Sequence, residues 1–273
     1  WSDRLGGIFR VHHPGAAGED LSARYRDAFS AAYRDAFSPQ EALADIAFVE
    51  TLSTTHPQAV DLYRADGDRG ERASLKVFAL GEPVPLSRRV PMLENLGFTV
   101  SNERTYRIAP ASGAVVYLHD MSIGRARGGA IDIGANDLRI EAAIEALLAE
   151  RIDSDRFNQL VIEAGLDWRQ VMVLRAYGRY LTQTGVPFSL DYLADALARH
   201  AGLARRLVDL FARLFDPAGN EDGATREAAA GAEAAAIRAA LDAVTNLDDD
   251  RILRRFLNLV EATVRTNAYQ RDA

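Results

Sequence analysis

The sequence predicts an α+β module built on an antiparallel sheet, followed by an all-helical bundle. Three observations lead there. The hydrophobic period switches from helical to alternating at Ala59; strand and helix patterns then follow in the order ββαββα up to Arg151; and beyond Arg151 only helix caps and helical periods recur.

Residues 1–55 read as helices. The string YRDAFS occurs at residues 25–30 and again at 33–38, two copies too few and too short for a solenoid, and the echo reads as coincidence. Ser38 is a helix N-cap with Pro39 at the first helical position and Glu41 placed to close a capping box, and the helix runs to about Leu52. Residues 59–64 and 73–80 alternate as two strands of a hairpin around the turn Asp66-Gly67-Asp68. After the loop Gly81-Glu82-Pro83-Val84-Pro85, Leu86, Val90, Leu93 and Leu96 recur at helical intervals with Pro91 in the first turn or so, and Gly97 ends the helix. Residues 98–108 and 114–123 are two more strands around a turn at residues 110–113. A Gly-rich loop at residues 124–134 leads into a helix over residues 137–151 whose inward set is Leu138, Ile140, Ile144, Leu147 and Leu148. Taken cyclically, this is the ferredoxin-like order begun one strand early, with both helices on one sheet face. The opposite face needs a cover, which the helix starting at Ser38, a neighbouring domain or a second copy of the sheet can supply.

In the second half, Ser154 opens a helix to Gly165 and Asp167 opens a long one ending at Gly185. The apolar residues of the long helix (Trp168, Val171, Met172, Val173, Leu174, Tyr177, Tyr180, Leu181) spread over more than one stripe, so it should be covered on several sides. Further helices start at Ser189, Leu203 and Asp222, and the last follows Asp248-Asp249-Asp250 with Ile252, Phe256, Leu259, Val260 and Thr263 or Val264 inward. The expected organisation is N-terminal helices (1–56), the α+β module (57–152) and a helical module of about six members (153–273).

With 273 residues, 48% of them hydrophobic, the chain can bury a proper core. A net charge of −7 argues against a nucleic-acid or anionic-membrane binder. The absence of cysteine excludes disulfides, thiolate nucleophiles and Cys-ligated zinc, and fits a reducing compartment. With no apolar run of membrane-spanning length and no signal pattern, the expectation is a cytoplasmic protein without a membrane partner. A chain opening at Trp1 rather than Met reads as a piece of something longer.

The segments SPQEALADI (38–46), VPMLENLGFTVSNERTYRI (90–108), LHD (118–120), FNQLVIEAGLDWRQVMVLRAYGRYLTQTGVPFS (157–189) and ILRRFLNLVEATVRTNAYQ (252–270) resemble the large bacterial NAD-specific glutamate dehydrogenases. The resemblance implies the region just before the catalytic domain, where an ACT-like module precedes a helical one. The strand to Leu80, the Gly81 loop, the helix to Leu96 and Gly97 also look like an ACT signature. The residues 124–134 and 228–240 have no counterpart in it. The activity implied for the full-length enzyme is oxidation of L-glutamate by NAD to 2-oxoglutarate and ammonium. The partners implied are the catalytic domain of the same polypeptide, further copies in a homo-oligomer, and an amino-acid effector.

No catalytic or cofactor-binding residues can be mapped in this piece. It has no strand–GxGxxG–helix pattern, and its one lysine, Lys76, falls inside a strand. His12 and His13 are adjacent and lack further ligands at metal spacing; His119-Asp120 reads as a structural hydrogen bond or an acid–base pair; His200 suits a helix C-terminus; Asp248 to Asp250 read as helix-start charge; and RARGG at 125–129 reads as a solvated loop. The candidate ligand site is the loop and helix start at Gly81, Glu82, Ser87 and Arg88, where glycine lets a ligand approach and free N–H groups favour a carboxylate. Pro83 and Pro85 remove two donors there, so packing alone is the competing reading.

Overall fold

The computed structural model describes residues 1–65, 70–111, 113–134, 136–219 and 222–270. The chain forms two compact units, Trp1–Glu94 with Phe98–Arg151, and Asn95–Gly97 with Ile152–Ala273. The hairpin turn expected at Asp66-Gly67-Asp68 lies outside the described residues.

The first unit starts with helices α1 (Ser2–His12), α2 (Ala16–Tyr25), α3 (Ala31–Ala36) and α4 (Pro39–Thr51). Strands β1 (Gln58–Tyr63) and β2 (Arg72–Leu80), helix α5 (Leu86–Asn95), strands β3 (Phe98–Ile108) and β4 (Val116–Arg125), and helix α6 (Asp137–Leu148) follow in the expected ββαββα order. The sheet is antiparallel throughout, ordered β1-β2-β4-β3. That is the ferredoxin-like order with its last strand moved to the front. Pro91 is the sixth residue of α5, inside the helix rather than in its first turn. Leu138, expected inward, is 78% exposed, because α6 turns its Ile140, Ile144, Leu147 and Leu148 face to the sheet instead.

Strand β2 is buried without a break from Ala73 to Ala79, so both faces of the sheet are covered. One face lies under α5 and α6. Leu62 N donates to Glu141 Oε1 of α6 (2.7 Å), and Arg88 of α5 donates to Leu148 O at the end of α6 (2.7 Å), which ties the two helices side by side. The other face carries Ala59, Phe78, Val116, Leu118, Tyr106 and Ile108, which share one core with Leu5, Phe9, Tyr25, Phe29, Tyr33, Phe37, Ile46 and Val49 of the N-terminal helices. The chain therefore covers its own sheet. The Ser38 capping box forms as the sequence predicts, with Ser38 N donating to Glu41 Oε2 (2.7 Å). The two YRDAFS copies have a role after all: Tyr25, Phe29, Tyr33 and Phe37, four residues apart, form one run of ring contacts, the closest being Phe29 on Tyr33 at 4.5 Å between centroids.

Next to this apolar patch the register sets Asp61, Lys76, Asp120 and Arg104 in one row across the four strands. Lys76 is only 3% exposed. Its Nζ donates to Asp45 Oδ1 of α4 (2.7 Å), lies over the rings of Phe37 (4.3 Å) and Tyr63 (5.0 Å), and shares Asp45 with the Tyr33 hydroxyl. A buried pair of this kind costs desolvation on both sides, so its main effect is to fix where α4 sits on the sheet.

The second unit holds a 3₁₀ turn (Arg156–Gln159) and helices α7 (Leu160–Glu163), α8 (Trp168–Gln183), α9 (Leu190–Arg199), α10 (Ala201–Phe215), α11 (Gly223–Leu241) and α12 (Leu247–Ala262). Asp155, not Ser154, caps the first turn, because its carboxylate also takes a two-bond contact from Arg175 (2.7 and 2.9 Å). Asp167 and Gln170 form the capping box of α8, and Ser189, Asp222 and Asn246 cap α9, α11 and α12. Helix α8 buries one stripe, Val171, Leu174, Arg175, Gly178 and Leu181, and not the several sides expected. Gly178 is required by Phe157, whose Cζ would lie 2.6 Å from a Cβ at that position. In α12, Leu253 and Leu257 join Ile252, Phe256 and Val260 in the core, while Leu259 is half-buried and Val264 exposed.

Breaking the Lys76 pair from one side should be worse than removing it. Asp45→Ala leaves a buried ammonium without its carboxylate and is expected to cost roughly 3–5 kcal/mol in urea unfolding, whereas Asp45→Leu with Lys76→Met should recover most of that loss.

Candidate functional site

The β2–α5 loop owes its shape to three residues. Gly81 adopts φ +82°, a conformation that disfavours a side chain, and its N–H donates to Val115 O (2.7 Å). A side chain at Gly81 would meet no atom within 4 Å, so the backbone there is open. Val84 turns inward, 5% exposed, and its N–H donates to His119 Nε2 (3.0 Å). Pro85 O then receives the N–H groups of Arg88 and Arg89, and α5 begins.

Because Nε2 accepts from Val84, the His119 proton sits on Nδ1, facing Thr105 Oγ1 at 2.8 Å. Thr105 donates on to Glu103 Oε1 (2.8 Å), which also accepts from Arg89 Nη1 (3.0 Å). The result is a chain of oriented bonds from the loop backbone, through the sheet, back to α5. Burial, and next the Arg89 charge, push the His119 pKa down from 6.5 to about 4, with Glu103 opposing. Glu103 is itself below the usual carboxylate value: burial works upward, and the bonds from Thr105 and Arg89 outweigh it. A neutral, hydrogen-bonded imidazole serves as a fixed acceptor that holds the loop. It is not paired with Asp120, which the strand alternation puts on the opposite face, with Tyr63 Oη 3.4 Å away.

Of the four residues expected to bind a ligand, Gly81, Glu82 and Ser87 are exposed at the surface. Arg88 is engaged elsewhere: besides Leu148 O, it pairs with Glu150 (3.1 Å) and so caps the C-terminal end of α6. Arg89 closes the helix start that the sequence singles out, but Glu103 and Thr105 escape it, since their meeting with Arg89 and His119 depends on strand register; the one signal was that Glu103, Thr105 and His119 all fall on the same phase of two alternating strands. In the second unit, Asp249 is bonded by Arg199 (2.6 and 3.0 Å) and His200 (3.0 Å), which gives one residue of the Asp248–Asp250 run a structural task. Among the described residues no group of three or more His, Cys, Asp and Glu side chains could hold a metal ion. Nor is any described helix long and apolar enough to cross a membrane.

A four-stranded sheet of this topology, packed on helices and followed by a helical module, defines an ACT-like module with a helical one after it. Family models match it piece by piece: glutamate dehydrogenase helical motif 2 at residues 10–52, the glutamate dehydrogenase ACT3 domain at 57–136, helical motif 3 at 152–217, and the catalytic domain of bacterial NAD-glutamate dehydrogenase at 236–273. The NAD-specific glutamate dehydrogenase of Halomonas elongata is 41% identical over 92% of the chain. Those of Mycobacterium tuberculosis and Pseudomonas aeruginosa are 37% and 35% identical over 98% and 100% of it. Segment by segment, the chain resembles the large bacterial NAD-specific glutamate dehydrogenases. It spans 15%, 16% and 17% of the length of these three relatives. The match at 236–273 carries it into the catalytic-domain model, further than the region before that domain which the sequence suggests.

The low pKa of His119 makes stability pH-dependent. The unfolded chain takes up the proton at the ordinary value near 6.5 and the folded one only near 4, so the stabilisation is complete above 6.5 and is lost as pH falls through this window, on the order of 3 kcal/mol in all. Urea midpoints measured from pH 7 to 4 should fall steeply in the native chain and more gently in His119→Asn; parallel curves would contradict the assignment.

Proposed function

We propose that the chain is a regulatory and assembly segment of an NAD-dependent glutamate dehydrogenase, and that it lacks the catalytic centre of that enzyme. The full-length enzyme oxidises L-glutamate to 2-oxoglutarate and ammonium with NAD in the cytoplasm. This segment packs against the catalytic domain of its own polypeptide and helps to build a homo-oligomer. The observation that carries the reading is the closed state of the ACT-type module: the N-terminal helices cover one sheet face, α5 and α6 the other, and Val84 fills the loop. The lone lysine is held in a buried ion pair, so it offers no amine to a substrate.

A second reading rests on the open backbone at Gly81 and the exposed Glu82 and Ser87. In it an amino-acid effector binds at the loop surface and shifts the activity of the enzyme.

Two measurements test these readings. The purified chain, given L-glutamate and NAD, should form no NADH; turnover would overturn the first reading. In a thermal-shift screen of amino acids, an effector at 100 times its Kd should add about 2.7 kcal/mol of stability, and a flat screen would remove the second reading while leaving the first.

A further inference from the structure

Helix α8 carries two apolar faces, and this chain covers one of them. Opposite the buried stripe, Met172, Ala176 and Tyr180 recur at intervals of four, with Val173 beside them. Met172 is 41% and Tyr180 53% exposed, and Ala176 is exposed as well. At the start of the same helix the Arg169 guanidinium lies 4.1 Å from the centre of the Trp168 ring. Met, Tyr, Trp and Arg are the side chains enriched where proteins bury surface against one another, and a run of them in line on one helix makes a continuous strip.

The family matches and the path of the C-terminal residues indicate what covers the strip. The matched segment is about one-sixth of their length, and only residues 236–273, from the end of α11 through α12 to the C-terminus, match the catalytic-domain model. The polypeptide leaves α12 alongside α8: Thr263 Oγ1, just past α12, is 2.7 Å from the Tyr177 hydroxyl, and Tyr269 stacks on Phe211 of α10. The residues that match the catalytic-domain model thus lie against α8 itself, so the domain they belong to is tethered within reach of the strip at high effective concentration.

We infer that the Met172–Ala176–Tyr180 face of α8 is the docking surface for the remainder of the catalytic domain in the same polypeptide. The inference rests on the proposed assembly role, and adds to it the surface.

The absence of cysteine allows a direct test. Met172→Cys gives the 273-residue chain a single thiol on the strip, and Ala32→Cys gives one on an exposed position of α3. Alkylation of each is followed by peptide mass spectrometry in the chain alone and in the complete Halomonas elongata enzyme carrying this chain in place of its own matching segment. Docking predicts that the thiol of Met172→Cys reacts about tenfold or more slowly in the complete enzyme while that of Ala32→Cys is unchanged, as expected when one thiol is removed from solvent. A photo-crosslinker on the strip thiol should then join to catalytic-domain residues C-terminal to this chain. Equal rates for the strip thiol in the two settings, slowing that depends on the concentration of the chain alone, or crosslinks to an earlier region or to a second α8 would each overturn the inference. If the chimera does not assemble, the same pair of measurements on the Halomonas enzyme itself, with cysteine at the position aligned with Met172, decides. NADH formation is recorded on the same samples, so an active enzyme in which the strip thiol stays exposed loses this inference and leaves the function reading standing.

Discussion

A sheet buried on both faces must be covered twice, and the ion pair between Lys76 and Asp45 is where the second cover is pinned. The apolar contacts of Phe78, Leu118, Tyr106 and Ile108 with the N-terminal helices supply the driving force, but such contacts are non-directional and tolerate sliding. The pair does not tolerate it. One ammonium faces one carboxylate at 2.7 Å, flanked by the Tyr33 hydroxyl and two aromatic rings, and any shift of α4 along the sheet would strand a buried charge. Asp61 and Asp120, in register on either side of Lys76, extend the same alternation of charge toward Arg104.

That closed arrangement shapes what the module can do. Its β2–α5 loop, the place where a glycine turn and a helix start come together, is held from beneath by a buried neutral histidine and from the side by Arg88 on the end of α6. At the surface lie Gly81, Glu82, Pro83, Pro85, Leu86 and Ser87. Several buried titratable groups are engaged in ion pairs: Lys76 with Asp45, Arg175 with Asp155, and Asp249 with Arg199 and His200.

The parts legible in the sequence were those whose causes are local. Caps at Ser38, Asp167, Ser189 and Asp222 depend on residues three positions apart, and the change of period at Ala59 and the helix stop at Gly97 depend on their immediate neighbours. The ββαββα order therefore emerged, and with it the topology. The parts that were not legible depend on pairs far apart in sequence. Lys76 and Asp45 are separated by 31 residues and Arg175 and Asp155 by 20, and no periodicity announces either. For the same reason the cover of the sheet stayed open between three candidates, and the sequence points to Ser154 where Asp155 is the cap. Helix α8 is an instructive case, since its two apolar faces were visible and only one of them is buried here. The candidate loop was found from its glycine, but the network of Arg89, Glu103, Thr105 and His119 beneath it required the register of β3 against β4.

The most direct test of the account is amide hydrogen exchange in β2 and β4 of the full chain compared with a chain starting at Pro57, without α1 to α4. If the N-terminal helices are the cover of the sheet, removing them should lower protection of these strands by about tenfold or more and drive the shortened chain to associate through its bared apolar face. A shortened chain that stays monomeric with unchanged protection would contradict the account, because the sheet would then be stable without its second cover.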